Sequence, residues 1–379
     1  MRRLTELRPV YVVGVGWHRY QYASETNHAD LALTAVRDAL HDAGLPWEAV
    51  DESFVATMLL GSAIGRPMLA PLGAHGKPLV HVENASASGS AAFRLACVQV
   101  AAGISDVALA VGVDKPGPVT RADTGIHALG DDIATVNSRP ANHFSLLTDA
   151  YMAAHGVTEE DIARIAVKNH RHGSLNPNAQ RQKERTLEEV LGSRRLTRSL
   201  TSLQVCPVGE GAAAAIVAGE EAVARWGLDP SKPIRVAASA AASEAVLSSD
   251  QEVSRDVITR ALSEAQVPPE TIDVFEMHDA FALEEALYVE ASGIARPGEY
   301  LAMLRDGCFD IGGRCAVSPS GGLIAMGHPI GPTGIGQIGE LTRQLRHAAG
   351  PRQHGGARVG LAHMVGIGAV GYAHVLVRP

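Results

Sequence analysis

The sequence has little of what marks disulfide-rich secreted proteins. It contains four cysteines in 379 residues, and none of them forms a CxxC pair. We therefore expect free thiols in a reducing compartment and no disulfide scaffold. Cys308 and Cys315 have no histidine nearby, so this spacing does not predict a zinc site, and no metal is expected.

Long apolar runs are also missing. The stretch from Val10 to Val15 is too short for the apolar core of a signal peptide. The run from Ala212 to Ala218 is far below the ~20 residues that span a bilayer. These features predict a cytoplasmic protein without a membrane partner.

The sequence also has no excess of positive charge. The chain has 33 Lys and Arg against 41 Asp and Glu, a formal charge of −8. Such a chain is a poor electrostatic match to nucleic acid or to anionic lipid, so neither is an expected partner. It is 46% hydrophobic, enough to bury a substantial core, which excludes global disorder.

Strand and helix patterns alternate along the chain. The β-branched run from Val10 to Val15 and the apolar run from Val107 to Val113 are typical of buried strands. Between them, the stretch from Asp30 to Ala43 has apolar residues at helical spacing, and Gly44 supplies a stop. The alternation predicts an α/β fold with a mostly parallel sheet covered by helices.

A second copy of these elements appears late in the chain. Residues 35–46 and 257–268 align at a constant offset of 222, which holds through Asp51 and Asp273. Each copy contains a helix, a Pro-containing turn, a short acidic segment and a strand. We interpret this as an internal duplication with halves at 1–230 and 231–379. The polar segment at about 116–200 is interpreted as an excursion of the first half that covers an active site and carries the pocket residues.

Four segments carry candidate chemistry. Ser86 lies in a small-residue turn before a helix, where backbone N–H groups and the helix dipole stabilise negative charge. His278, His328 and His363 lie in loops at strand ends, which indicates a shared site. Glycines crowd around His328, and this density predicts close backbone approach to a ligand or to another strand.

These segments together resemble the thiolase superfamily, in the branch similar to the thiolase part of sterol carrier protein X. His278-Asp279-Ala280-Phe281 resembles that branch's HDxF motif, and Gly327-His328-Pro329 resembles the superfamily's GHP motif. The match covers nearly the whole chain. It implies a thiolase fold of two duplicated five-layered α/β halves with an inserted loop domain.

The resemblance also implies carbon–carbon bond chemistry on acyl-CoA. In the family, a Cys at the tip of the first-half helix takes the acyl group, and the histidine of GHP acts as its base. The histidine of HDxF contributes to an oxyanion hole for the thioester enolate. No permanently bound cofactor is implied; coenzyme A is a co-substrate. The predicted site residues are Ser86, His278 and His328 as catalytic groups, Gly366 and His363 as oxyanion or secondary groups, and Ser320 and Gly321 as substrate-binding groups.

The sequence departs from the family pattern at its thiols. Ser86 stands in the frame of the nucleophilic Cys, and Ala280 and Val365 stand where relatives carry acid/base thiols. A serine hydroxyl needs strong base assistance, so acyl transfer is expected to be slow or absent. Either the serine is a substitution introduced to trap a ligand, or the chain has diverged toward a reaction that needs only enolate stabilisation. In place of the missing acid/base thiols, either His278, His328 or His363 carries the proton, or the reaction needs no proton transfer at that position.

Three functions follow from this pattern. The first is a thiolase-type C-acyltransferase slowed by Ser86. The second is an aldol or retro-aldol lyase acting on a β-hydroxyacyl-CoA, and the third is a non-catalytic thiolase-like subunit. The resemblance further implies a homodimer, and a small OB-fold, zinc-ribbon partner protein as found with bacterial relatives.

Overall fold

The computed structural model describes residues 3–73, 76–116, 140–243, 249–366 and 370–379. The strands in these ranges are β1 (Val10–Gln21), β2 (Glu52–Ala56), β3 (Leu79–Val82), β4 (Val107–Asp114), β5 (Glu210–Gly219), β6 (Ile234–Ser243), β7 (Val274–Glu276), β8 (Ala316–Val317), β9 (Val359–Gly366) and β10 (Val370–Val377). The α-helices are α1 (His28–Ala43), α2 (Gly65–Leu69), α3 (Ser88–Ala101), α4 (Pro140–His155), α5 (Glu159–Ser174), α6 (Leu187–Leu191), α7 (Glu220–Arg225), α8 (Asp250–Ala265), α9 (Ala282–Ser292), α10 (Tyr300–Arg305), α11 (Gly322–Ala325) and α12 (Thr333–Leu345). Within the described ranges, no helix combines the length and the apolarity that crossing a bilayer requires.

The strand order shows the duplication. The order is β3-β2-β4-β5-β1-β6-β10-β9-β7-β8. Strands β1 to β5 of the first half occupy the same relative places as β6 to β10 of the second. In each half the outer pairs are parallel and the remaining pairs antiparallel. The sheet is thus mixed rather than mostly parallel, because β5 and β10 each run against both of their neighbours.

Helices and sheet form five layers. Helices α3 and α12 pack in the centre, where Phe93 and Ile338 share a core with strand residues of both halves such as Ala110 and Ala362. Helix α1 covers the outer face of the first half, and α8 covers that of the second. This arrangement confirms the layered α/β fold, with the five layers formed by the two halves together. Its central layer brings the start of α3 against the start of α12, which positions the site.

The repeat is preserved in individual hydrogen bonds. The Oδ2 atom of Asp51 accepts from the backbone N–H of residues 106 and 107 at 2.9 and 3.1 Å, at the start of β4. The Oδ2 atom of Asp273 accepts from residues 358 and 359 at 2.8 and 2.9 Å, at the start of β9. The helices α1 and α8 also end alike, since Gly44 and Gln266 both adopt left-handed conformations. Asp51 and Asp273 therefore make equivalent hydrogen bonds to equivalent strands in the two halves.

The described part of the excursion at about 116–200 contains the helices α4, α5 and α6. Residues 117–139, a part of the predicted 116–200 segment, lie outside the described residues. Of the remainder, α4 places Phe144 on Phe281 with ring centroids 4.5 Å apart. Helix α5 places Asn169 and Lys168 against buried carboxylates of the second half. The described excursion thus covers the segment that follows His278. We propose residue 230, between α7 and β6, as the division between the halves.

Candidate active site

Ser86 lies in a tight turn immediately before α3. The preceding Ala85 has a φ of +48°, a left-handed conformation for a residue with a side chain. The Ser88 hydroxyl stabilises this turn, because it donates to the Ala85 carbonyl at 2.6 Å and accepts from the Asn84 N–H at 2.8 Å. The turn therefore presents Ser86 at the N-terminal end of α3, as the small-residue pattern predicts.

His328 contacts Ser86 directly. Its Nε2 atom lies 3.1 Å from the Ser86 Oγ, although the residues are 242 positions apart. The Nδ1 atom lies 2.9 Å from the Thr333 Oγ1 in the first turn of α12. Burial, with a smaller contribution from His278, lowers the pKa of His328 well below its ordinary value. The ring is therefore neutral at pH 7, and a hydroxyl rather than a carboxylate orients it.

Glycines allow the two loops to meet. A Cβ atom on Gly89 would lie 2.5 Å from the carbonyl oxygen of Gly331, and one on Gly334 would lie 2.4 Å from the Ser90 Oγ. Side chains at these positions would separate the ends of α3 and α12. The glycine density around His328 thus permits close approach between protein segments.

His278 lies beside His328 and contacts a carboxylate. The two rings are edge to face with centroids 5.2 Å apart. The His278 Nδ1 lies 2.9 Å from the Glu284 Oε1 in the first turn of α9. Glu284 is fully buried, and His278 is 8% exposed. Ser86, His278 and His328 therefore converge, as the sequence predicts.

Further carboxyls are buried behind these histidines. Asp279 accepts from Leu323 N at 2.7 Å and from Asn169 Nδ2 at 2.8 Å. Burial, followed by the neighbouring Glu285, raises the pKa of Asp279 to about 8. Burial also raises the pKa of Glu276 to about 8. Asp279 thus connects the HDxF-like segment to α5 and α11.

His363 and Gly366 lie on β9 close to this group. The His363 ring packs on Tyr288 with centroids 4.7 Å apart, and burial lowers its pKa to about 3. Neither of its ring nitrogens has a hydrogen-bond partner within the described part of the chain. A Cβ on Gly366 would lie 2.3 Å from the Asn84 carbonyl oxygen, so this glycine packs against the turn of Ser86.

Ser320 and Gly321 are engaged in protein contacts. Ser320 donates to Glu276 through its N–H at 2.9 Å and its Oγ at 2.7 Å. Gly321 has a φ of +107°, and a Cβ there would lie 2.6 Å from the Gly173 Cα. Their substrate-binding role stays a prediction, as do the roles assigned to the other site residues.

None of the four cysteines occupies position 86, 280 or 365. Cys206 is the cysteine that contacts the HDxF-like segment, since its N–H donates to the Ala280 carbonyl at 2.8 Å. Burial, with a contribution from Glu284, raises the pKa of its thiol to about 12. Cys206 is therefore a neutral thiol rather than a thiolate at pH 7. In the described ranges, no group of three His, Cys, Asp or Glu side chains is arranged to hold a metal ion.

Sequence reasoning missed two residues that hold the histidines, Glu284 and Thr333. Both lie in the first turn of the helix that follows each histidine. Glu284 also accepts from the N–H of Phe281, three residues earlier, at 2.9 Å. A Glu at the third position of a predicted helix is a capping signal, and this signal could have located it.

Comparisons with known proteins cover both halves of the chain. The chain matches the family model for the thiolase N-terminal domain over residues 16–187 and the model for the thiolase C-terminal domain-like region over residues 238–377. It is 35% identical to the benzoylsuccinyl-CoA thiolase subunit BbsB of Thauera aromatica, over 95% of both chains. It is 34% identical to human sterol carrier protein 2, over 96% of this chain and 70% of that protein.

Two further comparisons cover nearly the whole chain. It is 33% identical to an acetyl-CoA acetyltransferase of Methanothermobacter thermautotrophicus, over 98% of this chain and all of that protein. Among solved structures, the Ltp2-ChsH2(DUF35) aldolase superposes with a TM-score of 0.80 at 23% identity, over 98% of both chains. The chain belongs to the thiolase family.

Proposed function

We propose that this chain makes or breaks a carbon–carbon bond beside the thioester carbonyl of an acyl-CoA, as an aldol-type lyase rather than through an acyl-enzyme. The supporting observation is the environment of Ser86. Its hydroxyl contacts a partly buried, neutral imidazole that is held by a hydroxyl group. A serine nucleophile must pass its proton to a base, and a nearby carboxylate normally stabilises the imidazolium that results. Burial disfavours that cation at His328.

The same pair suits an oxyanion hole. Thr333 can donate its O–H to Nδ1, which leaves the proton of the neutral ring on Nε2. The Nε2–H of His328 then donates to the Ser86 Oγ, and the Ser86 O–H is left to donate to a thioester oxygen that becomes an enolate, next to the N-terminal end of α3. An aldol-type reaction needs this stabilisation and one proton carrier, and no acyl-accepting thiol. A lyase therefore uses the residues that this site has.

One observation favours a second function, acyl transfer through Ser86. The separation of 3.1 Å between Oγ and Nε2 is within the range of a nucleophile and its general base. An acyl group on Ser86 would be an oxygen ester, and coenzyme A would be the co-substrate that releases it. The relatives named as thiolase and acetyltransferase agree with this alternative. A structural neighbour is named as an aldolase and agrees with the lyase.

Turnover of two substrate classes separates these functions. The chain is incubated with a series of β-hydroxyacyl-CoA thioesters, and separately with β-ketoacyl-CoA and free CoA, and products are identified by mass spectrometry. We expect the β-hydroxy substrates to give a carbonyl compound and a shortened acyl-CoA. Thiolysis of the β-keto substrates with an acyl adduct on Ser86 would refute the lyase.

Two variants at position 86 sharpen the test. Ser86→Ala removes one donor of the proposed oxyanion hole, so cleavage should fall about 100- to 1,000-fold and remain measurable. A complete loss would indicate a covalent intermediate. Ser86→Cys restores the family's thiol beside His328, and we expect it to acquire a covalent acyl adduct that the parent chain lacks.

We further propose that the chain forms a homodimer and that it works with a small OB-fold partner. Support for the partner comes from names alone, since one relative is called a subunit and one neighbour is a two-component aldolase. Light scattering on the purified chain tests the dimer, and co-purification from the native host tests the partner. A monomer that cleaves β-hydroxyacyl-CoA alone would contradict both.

A further inference from the structure

The carboxylate of Glu284 accepts three hydrogen bonds. His278 Nδ1 and the Tyr288 hydroxyl lie 2.9 and 3.0 Å from Oε1, and the Phe281 N–H donates to Oε2 at 2.9 Å. Phe281 and Glu284 lie at the start of α9, His278 precedes the helix, and Tyr288 lies one turn after Glu284; each is less than 10% exposed. The carboxylate is therefore built into the fold rather than placed by chance on a surface.

These contacts place the proton of the His278–Glu284 hydrogen bond. A backbone N–H can only donate, so Oε2 of Glu284 must be an acceptor. Oε1 lies within hydrogen-bond distance of two groups that can donate, the Nδ1 of His278 and the Tyr288 hydroxyl. The shared proton then lies on Nδ1 of His278, and the neutral ring carries its lone pair on Nε2.

The imidazoles of His278 and His328 thus differ in the group that contacts Nδ1. Glu284 stabilises the cation that His278 becomes when its Nε2 accepts a proton. The partner of Nδ1 in His328 is the Thr333 hydroxyl, which carries no charge. Because the rings lie 5.2 Å apart, a proton on both at once is disfavoured.

Among the residues that the structure describes, the other ionisable groups around Glu284 and His278 are paired or neutral. The carboxyl of Asp279 accepts from Asn169, Ser318 and Leu323. Glu285 pairs with Lys168 at 2.9 Å, and the Tyr300 hydroxyl also donates to it. His363, Cys206 and His328 face the pair from β9, from the loop before β5 and from the GHP-like loop, and burial keeps each of them neutral at pH 7.

We propose that Glu284 is a positioning residue that makes His278 the proton carrier of the site. This inference rests on the proposed lyase function. Nε2 of His278 takes the proton of the β-hydroxyl group, the Cα–Cβ bond breaks, and its electron pair passes into the thioester enolate beside Ser86 and His328. The imidazolium returns the proton to Cα. The products are a carbonyl compound and the shortened acyl-CoA, and the role of the missing acid/base thiols is taken by an imidazole.

The variant Glu284→Gln tests this assignment with almost no change in volume. The Phe281 N–H holds the amide oxygen on its own side, so the amide NH₂ turns toward His278 and donates to Nδ1. The proton of the neutral ring must then move to Nε2, which removes the lone pair that accepts the substrate proton. We expect kcat to fall at least 100-fold while KM changes less than threefold. The matched control is Tyr288→Phe, which removes another donor to the same carboxylate; its kcat should fall less than tenfold.

Two readouts keep this test apart from the proposed function. Nitrogen-15 NMR of labelled histidine reports the tautomer of His278 directly: we expect Nδ1–H in the parent chain and Nε2–H in Glu284→Gln. Exchange of acyl-CoA α-protons in D₂O, followed by mass spectrometry, reports proton transfer without bond cleavage. It should fall at least 100-fold in Glu284→Gln and in His278→Ala.

The outcomes are separable. An unchanged tautomer in Glu284→Gln overturns the positioning role, whatever the enzyme turns over. Unchanged α-proton exchange in that variant overturns the role of His278 as carrier. The parent chain could also exchange α-protons fully and show the expected tautomers, yet cleave no β-hydroxyacyl-CoA. That result would refute the proposed function, and the positioning role of Glu284 would still stand.

Discussion

Replacing Thr333 with valine removes the hydroxyl that orients His328 and keeps the shape of the side chain. Thr333 is 3% exposed, and its Oγ1 lies 2.9 Å from Nδ1 of His328. A buried polar atom that loses its partner costs about 1–3 kcal/mol. Each ~1.4 kcal/mol added to an activation barrier lowers the rate tenfold. If the loss of the Thr333 hydroxyl raises the barrier by this whole cost, kcat/KM falls roughly 5- to 150-fold.

The assay is steady-state cleavage of a β-hydroxyacyl-CoA, with urea unfolding as the check that the variant remains folded. Thr333→Ser keeps the hydroxyl and serves as the matched control, which should stay within about threefold of the parent chain. Thr333→Val at the parent kcat/KM would refute the assignment of this hydroxyl as the orienting group. So would equal impairment of the serine and valine variants.

Three further predictions test the surroundings of the site. A Cβ on Gly366 would lie 2.3 Å from a backbone carbonyl oxygen of the serine loop, so Gly366→Ala should abolish turnover, whereas Gly355→Ala, with nothing within 4 Å, should not. Arg352 and Glu340 form a buried pair at 2.9 Å, so Arg352→Met should lower the free energy of unfolding by about 3–5 kcal/mol in urea titrations, and adding Glu340→Gln should recover part of it. Burial raises the pKa of Glu276 to about 8 from 4.5, so the native state binds more protons than the unfolded state between these values. Stability to urea should therefore fall as pH rises from about 4.5 to 8, and Glu276→Gln should flatten part of this fall; an unchanged slope would contradict the burial of a neutral carboxyl.

The sequence determined the layered fold because its signals are local or repeated. Apolar runs such as Val107 to Val113 predict buried strands, and β4 is buried along its whole length. The offset of 222 predicts two equivalent halves, and the equivalent hydrogen bonds of Asp51 and Asp273 confirm it. The sequence patterns left the antiparallel strands undetected, since the direction of a buried strand leaves no mark on its own composition.

The sequence also predicted that Ser86, His278 and His328 share a site, because Ser86 lies in a small-residue turn and the two histidines lie in segments that resemble the HDxF and GHP motifs. Their catalytic roles stay predictions. The partners of these groups were decided by tertiary structure alone. Thr333 and Glu284 are recognisable as orienting residues only when helices α12 and α9 place them against particular ring nitrogens. Likewise, Ser320 bonds to Glu276 across 44 positions. A hydrogen bond between distant segments depends on packing to within tenths of an ångström, and composition and periodicity do not carry that information.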